Sequence, residues 1–118
     1  MDGNRGGGGD GALGQTSETL DERIAAVLDE LGDVRETPAG ELTQVRRGST
    51  LFAVIGPRAL EVRLDSAVAS AALKTPDVTP SSRGPGWVVL RPADLRDRFA
   101  LDRAEAWLRV AHRRATAG

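Results

Sequence analysis

The chain contains no cysteine, and only 3% of its residues are aromatic. Without cysteine it forms no disulfide, offers no thiol nucleophile and builds no Cys-ligated zinc or iron–sulfur centre. One histidine, His112, excludes a site made of several histidines. No apolar run approaches the roughly 20 residues that a membrane-spanning helix needs. We therefore expect no membrane partner.

Motifs of catalysis are also missing. The chain has neither GxGxxG nor GxxxxGK[ST], and no GxSxG nucleophile elbow. Ser81, Ser82 and several aspartates leave a Ser-His-Asp arrangement open, but nothing in the sequence positions them. We interpret His112 as a surface or C-terminal helix histidine near the end of the last helix, where the dipole favours its charge, with a general base as the alternative.

Paired carboxylates stand three residues apart at Asp94/Asp97 and at Asp102/Glu105. Such a pair at a helix start either compensates the helix dipole or holds a hard cation. We take the first interpretation. The sequence therefore predicts no catalytic residue, no metal and no cofactor, and we expect a protein that is not an enzyme.

A length of 118 residues suits one domain. Seven of the 14 glycines lie in the first 14 residues, so we predict a disordered tail over 1–16 and a single α+β domain over 17–118. Either a natural tail or a wrongly assigned start codon explains this segment. It lacks the apolar core of a signal peptide, which makes a cytoplasmic location the default expectation.

The first helix has the clearest signals. Thr19 and Glu22 form a capping box, and apolar residues recur at helical spacing from Leu20 to Leu31. Gly32 follows as a C-terminal stop.

Alternating or continuous apolar runs predict four strands. Three form an antiparallel meander and the fourth follows a short helix: Leu42–Arg46, Thr50–Ile55, Ala59–Leu64 and Gly86–Arg91. Residues 37–40 are interpreted as a turn and 75–86 as a loop. The helices are Ala67–Lys74 and Leu101–Ala115. The expected order is α-β-β-β-α-β-α, a four-stranded antiparallel sheet covered on one face by the N- and C-terminal helices.

Charge is divided along the chain although the net charge is only −1. Residues 17–37 contain seven acids and two arginines, whereas residues 38–118 contain 13 bases and eight acids. An acidic helix on a mildly basic body explains this division, because solvated helix faces are usually charged.

The segment Ser81–Trp87 combines hydroxyls, an arginine, glycines and a tryptophan. Arg83 with Trp87 suits a phosphate or a stacked base. The structural alternative is a tight turn in which Trp87 fills the core edge and Arg83 pairs with an acid. Together with arginines near the hairpin turns and on the strands, these residues form the predicted nucleic-acid-binding set: Arg46, Arg47, Arg58, Arg63, Arg83, Trp87 and Arg91.

The order of elements over about residues 20–115 resembles the MmcQ/YjbR family of small bacterial proteins. The resemblance depends on Phe52 in the central strand, Leu60–Leu64 in the next, Gly86-Trp87 before the fourth and the closing helix around Trp107. It implies an α+β fold described as a double-wing DNA-binding module, with no catalytic set to carry over.

Three functions follow from these observations. The first is a non-enzymatic binding module for nucleic acid, with hairpin tips as wings. The second is a protein-interaction or regulatory module that uses its acidic helix or its basic sheet. The third is a small-molecule-binding protein or enzyme. The sequence does not indicate an oligomeric state.

Overall fold

The computed structural model describes residues 15–115 as three helices and one sheet. The helices are α1 (Leu20–Leu31), α2 (Ser66–Ala72) and α3 (Arg98–Arg114). The strands are β1 (Arg35–Ala39), β2 (Leu42–Arg47), β3 (Thr50–Gly56), β4 (Ala59–Arg63), β5 (Val78–Pro80) and β6 (Trp87–Leu90). The chain order is thus α-β-β-β-β-α-β-β-α. The predicted α+β class with an antiparallel sheet is confirmed.

The sheet has six strands, so the prediction of four was wrong. Its spatial order is β1-β2-β3-β4-β6-β5, and every neighbouring pair is antiparallel. The segment interpreted as a turn at 37–40 lies mostly in β1, and the segment interpreted as a loop at 75–86 contains β5.

Both missed strands are edge strands without an apolar pattern. All five residues of β1 are exposed, and Pro38 lies within it. β5 has only three residues and ends at Pro80. Such strands are held by backbone hydrogen bonds to a neighbour, which leave little trace in side-chain periodicity.

The predicted capping box of α1 is present. The Thr19 hydroxyl accepts from the Glu22 backbone N–H at 3.3 Å, and the Glu22 carboxylate accepts from the Thr19 N–H at 2.8 Å. The hydrogen bond from the Thr19 backbone, followed by that from its side chain, lowers the pKa of Glu22. Gly32, at φ +64°, ends the helix as expected.

All three helices pack on the same face of the sheet. Leu60 and Val62 of β4, with Leu64 after it, are almost fully buried there. α1, α2 and α3 contribute Leu20, Ala69 and Leu108, among others, to one continuous apolar core. The predicted stripe of α3 is buried throughout: Leu101, Ala104, Leu108, Ala111 and Ala115, with Trp107 beside it.

Ion pairs tie α1 to α3 at the rim of this core. The Arg23 guanidinium contacts Glu18, Asp102 and Glu105 at 2.8–3.2 Å. Arg109 pairs with Glu105 at 2.8 Å and also with Glu30. Hydrogen bonds to these carboxylates raise the pKa of both arginines, chiefly through Glu18 for Arg23 and Glu105 for Arg109.

The sheet register shifts in the middle of β3. Val45 faces Ala53 and Arg46 faces Leu51, so Phe52 has no opposite residue in β2. This is the geometry of a β-bulge, which re-aims one side chain. Phe52 is 1% exposed within the core, and its ring meets the His112 ring edge-on at 5.6 Å between centroids.

Two residues of the predicted tail belong to the described fold. Gln15 forms an isolated bridge with Asp97, and the Thr16 N–H donates to the Arg96 carbonyl at 2.9 Å. The rest of the predicted tail, residues 1–14, lies outside the described residues. No helix within 15–115 is long and apolar enough to cross a membrane.

Gly86 is required by a close backbone approach. Its φ is +83°, and an added Cβ would lie 2.7 Å from the Leu64 carbonyl oxygen.

We expect Gly86→Ala to lower the free energy of unfolding by about 3 kcal/mol, because the alanine would have a strained φ and its Cβ would also clash with the backbone at Leu64. Gly40, at φ +67° with nothing within 4 Å, is the matched control. Gly40→Ala should cost only about 1 kcal/mol. Urea unfolding measures the free energy of unfolding of both variants. Equal losses would contradict a destabilising contact between residue 86 and the Leu64 carbonyl.

The lowered pKa of Glu22 makes the capping box sensitive to acid. A depressed folded-state pKa contributes stability above the unfolded value near 4.5, and this contribution is lost as the pH falls through the folded value. Glu22→Gln keeps an acceptor for the Thr19 N–H but does not titrate. We therefore expect its urea midpoint to fall less steeply than the parent's as the pH is lowered from about 5. Parallel pH curves would show that Glu22 contributes nothing to acid sensitivity.

Candidate functional site

The second face of the sheet has no helix on it within residues 15–115. Successive side chains of a strand point to opposite faces of the sheet, so every second side chain of each strand lies on this face. The pairing Gln44–Val54–Glu61–Val89 crosses four strands as its central row. We call this surface the open face because no helix within 15–115 covers it, although Val54 and Trp87 are buried on it and only its Arg35 and Arg63 side chains are exposed. We define it by the following side chains: Arg35, Gln44, Arg46, Leu51, Val54, Glu61, Arg63, Trp87 and Val89.

Arginines lie at one end of the open face. Arg46 faces Arg35 across β1 and β2, and Arg63 faces Trp87 across β4 and β6. Arg46 donates to the Gln44 side-chain oxygen at 3.0 Å, and Arg35 donates to the Gly48 carbonyl at 3.5 Å. Arg63 is exposed and has no ion pair among the described residues.

The loop before β6 places Arg83 over this face. Glu61 accepts from the Ser81 hydroxyl at 2.7 Å and from Arg83 Nε at 3.0 Å. The Arg83 guanidinium carbon lies 5.8 Å from the centre of the Trp87 ring. Because Trp87 is only 9% exposed, its ring is not an open platform for a stacked base. The structural alternative for Ser81–Trp87, a turn with Arg83 paired to an acid, describes this arrangement.

Arg58 and Arg91 flank a cleft at the opposite end of the open face. The cleft has a volume of about 270 Å³ and is lined also by Leu42, Gly56, Pro57, Ala59 and Glu61. Arg58 lies in the β3–β4 turn and Arg91 follows β6. Both side chains are exposed, and neither forms an ion pair with a described residue.

Arg47 is not part of this surface. It follows Arg46 by one residue and therefore points to the face that the helices cover. Its Nη1 donates to the carbonyls of His112 and Ala115 at 2.9 and 3.1 Å, and its Nε contacts Asp33 at 3.0 Å. The guanidinium thus holds the C-terminus of α3, where free carbonyls need donors.

Arg35 belongs to the open face although the sequence did not indicate it. Its strand, β1, has no apolar residue on an alternating pattern, so nothing marked its register. The two-residue connection at Gly40-Glu41 between β1 and β2 is the signal that identifies this hairpin.

The open face is basic in a chain that is close to neutral. Of the described acids, Glu61 is the one that the register places there, and Arg83 pairs with it. The acids of residues 17–37 lie on α1 or beside it, on the helix-covered side. The two charge groups of the sequence are only partly separated, because Arg47 and the arginines of α3 lie on the helix-covered side, where Arg47 pairs with Asp33 and Arg109 with Glu30.

The histidine and one of the aspartates that the sequence offered for catalysis or metal binding have structural roles. His112 lies in the last turn of α3, as predicted, but it is 8% exposed and packs against Phe52, so it is not a surface residue. Its buried Nε2 has no hydrogen-bond partner among the described residues. Asp97 caps α3 through the Phe99 N–H. In the part of the chain that the structure describes, no three His, Asp or Glu side chains are placed to hold a metal ion.

Comparisons with protein-family models, with curated proteins and with solved structures find no match to this chain.

The different positions of Arg47 and Arg63 predict different effects on stability. Arg47→Ala removes two hydrogen bonds to helix carbonyls and should lower the free energy of unfolding by about 1–3 kcal/mol. Arg63→Ala removes an exposed side chain without an ion pair and should change it by less than about 0.5 kcal/mol. Denaturant unfolding of both variants makes the comparison. Equal effects would mean that Arg47 does not support α3.

Proposed function

We propose that the chain is a non-enzymatic binding module that contacts the phosphate backbone of nucleic acid through its open face. The observation that carries this proposal is the gathering of arginines on one sheet face that holds a single described acid. The arginines are Arg35, Arg46, Arg63 and Arg83 at one end and Arg58 and Arg91 at the other.

The spacing of these groups suits several phosphate contacts at once. Arg46 and Arg63 lie on strands separated by β3, so their backbones are about 10 Å apart at the usual strand spacing. The length of β4 separates Arg63 from the turn at Arg58, a distance of about 15 Å. A duplex offers one charge per about 1.7 Å of axis, so a patch of this size meets several phosphates.

Double-stranded nucleic acid is favoured over single strands. Binding of single strands draws on aromatic rings that stack with bases. Trp87 is covered by Arg83 and its own neighbours, and the chain has two Phe and two Trp in all. We therefore infer backbone recognition with little preference for sequence.

The resemblance to the MmcQ/YjbR family supports the same proposal, because that family is described as a double-wing DNA-binding module. In this interpretation the turns after β2 and after β3 are the two wings. They lie at opposite ends of β3, with the open face between them.

The test is the salt dependence of duplex binding. Fluorescence anisotropy of a labelled 20-base-pair duplex (a length chosen for the assay) should give a dissociation constant of about 10⁻⁴–10⁻⁶ M at physiological salt. The affinity should fall steeply as the salt concentration rises. Arg58→Ala/Arg63→Ala should reduce the slope of log affinity against log salt by about 2. These arginines are suitable because neither has a partner whose loss would disturb the fold.

The matched control is Arg98→Ala/Arg113→Ala, which removes the same charge from exposed positions on α3. Its slope should stay close to that of the parent chain. No binding at low salt would overturn the proposal. Equal loss in both double variants would also do so, since the open face would then have no special role.

A further inference from the structure

A groove runs between α1 and the β1–β2 hairpin, on the side of the molecule away from the open face. It consists of two adjoining clefts of about 330 and 360 Å³ that share Ala25, Leu28 and Glu36. We call it the α1 groove and define it by its lining: Asp21, Ile24, Ala25, Leu28, Asp29, Val34, Glu36, Glu41, Thr43, Ile55 and Pro57.

The centre of the groove is apolar. Ala25 and Pro57 are exposed there, and Val34 and Ile55 are half-buried. Ile24 and Leu28, at 2% and 4% exposed, form the closed floor beneath them. Pro57 closes the end near the β3–β4 turn. Apolar side chains of a partner that entered the groove would therefore meet hydrocarbon surface.

The rim of the groove carries carboxylates that have no ion-pair or hydrogen-bond partner within residues 15–115. Most Asp and Glu side chains within residues 15–115 form an ion pair or a hydrogen bond. These partnered side chains are Glu18, Glu22, Glu30, Asp33, Glu61, Asp65, Asp77, Asp94, Asp97, Asp102 and Glu105. The four without a partner are Asp21, Asp29, Glu36 and Glu41. All four are exposed, and all four line this groove.

These four carboxylates repel one another and are not compensated within the described fold. A concave surface with low-dielectric walls concentrates the field of such charges. A cationic partner would remove the repulsion and gain from the field. A segment that matches the α1 groove therefore has basic side chains at its margins, opposite the rim, and apolar side chains along its middle.

We propose that the α1 groove binds a basic amphipathic helix from a partner protein. Strand addition at the neighbouring edge is disfavoured, because Pro38 lacks an N–H and β1 carries Arg35 and Glu36. A helix laid beside α1 would meet the groove over about 18 Å, the length of 12 residues at helical rise. Its apolar face fills the groove, and its Lys or Arg side chains reach the four carboxylates.

The test uses the full chain and a labelled 14-residue peptide of leucine and lysine at helical spacing. We expect binding that weakens with salt. Asp29→Asn/Glu36→Gln should weaken it about tenfold, at about 0.7 kcal/mol for each exposed ion pair lost. The matched control, Asp65→Asn/Asp102→Asn, removes the same charge from carboxylates that are paired elsewhere, and it should weaken binding by less than about twofold.

Two further measurements keep the proposal open to failure. A peptide with serine in place of leucine should bind at least about tenfold more weakly, because it cannot fill the apolar centre. At low salt, Asp29→Asn/Glu36→Gln should raise the melting temperature, since it relieves repulsion, whereas the control should not raise it.

Any of three results would overturn the proposal. They are equal losses in both double variants, equal binding of the serine peptide, and light scattering that shows self-association through the groove, which would make a second copy the occupant. None of them affects the duplex-binding proposal, because the α1 groove and the open face share no residue of the tested variants.

Discussion

Burial of one sheet face under three helices is the constraint from which the other features follow. Once Leu60, Val62 and Leu64 enter the core, strand alternation decides where every neighbouring side chain points. Arg63 is directed outward because Val62 is directed inward. The same rule gives Arg46 to the open face and Arg47 to the helices, although the two residues are adjacent. The composition of the open face is thus a consequence of how the core is packed.

The bulge at Phe52 shows how local irregularity supports this packing. A regular strand would direct Phe52 to the face opposite Ala53. The extra residue in β3 lets Phe52 join the core and pack against His112 near the end of α3. Arg47 then donates to carbonyls of the same helix end. One strand irregularity and one guanidinium therefore position the C-terminal turn of α3 on the sheet.

Two surfaces of the molecule have opposite electrostatic character. The basic open face suits a polyanion, and the α1 groove, with its four unpaired carboxylates, suits a cationic segment. The net charge of −1 does not reveal these two surfaces, because bases and acids are nearly equal in number over the whole chain. The two proposed functions use opposite sides of the sheet, and the α1 groove meets the cleft beside Arg58 at Gly56 and Pro57, which line both.

The sequence by itself determined the capped first helix, the apolar strands β2, β3, β4 and β6, and the amphipathic closing helix. Each of these carries its own periodicity or capping residues, which are local signals. It also named most of the arginines of the open face, from their places near the hairpin turns, in the loop before the last strand and on the strands. Only the tertiary structure decided that β1 and β5 complete the sheet, that Arg47 supports a helix and that Arg35 joins the open face. It alone showed which carboxylates stay unpaired around the α1 groove. Pairing between distant segments depends on register and on contacts across the chain, which local patterns of residues do not encode. The β1–β2 hairpin is the exception, because Gly40-Glu41 marks its turn.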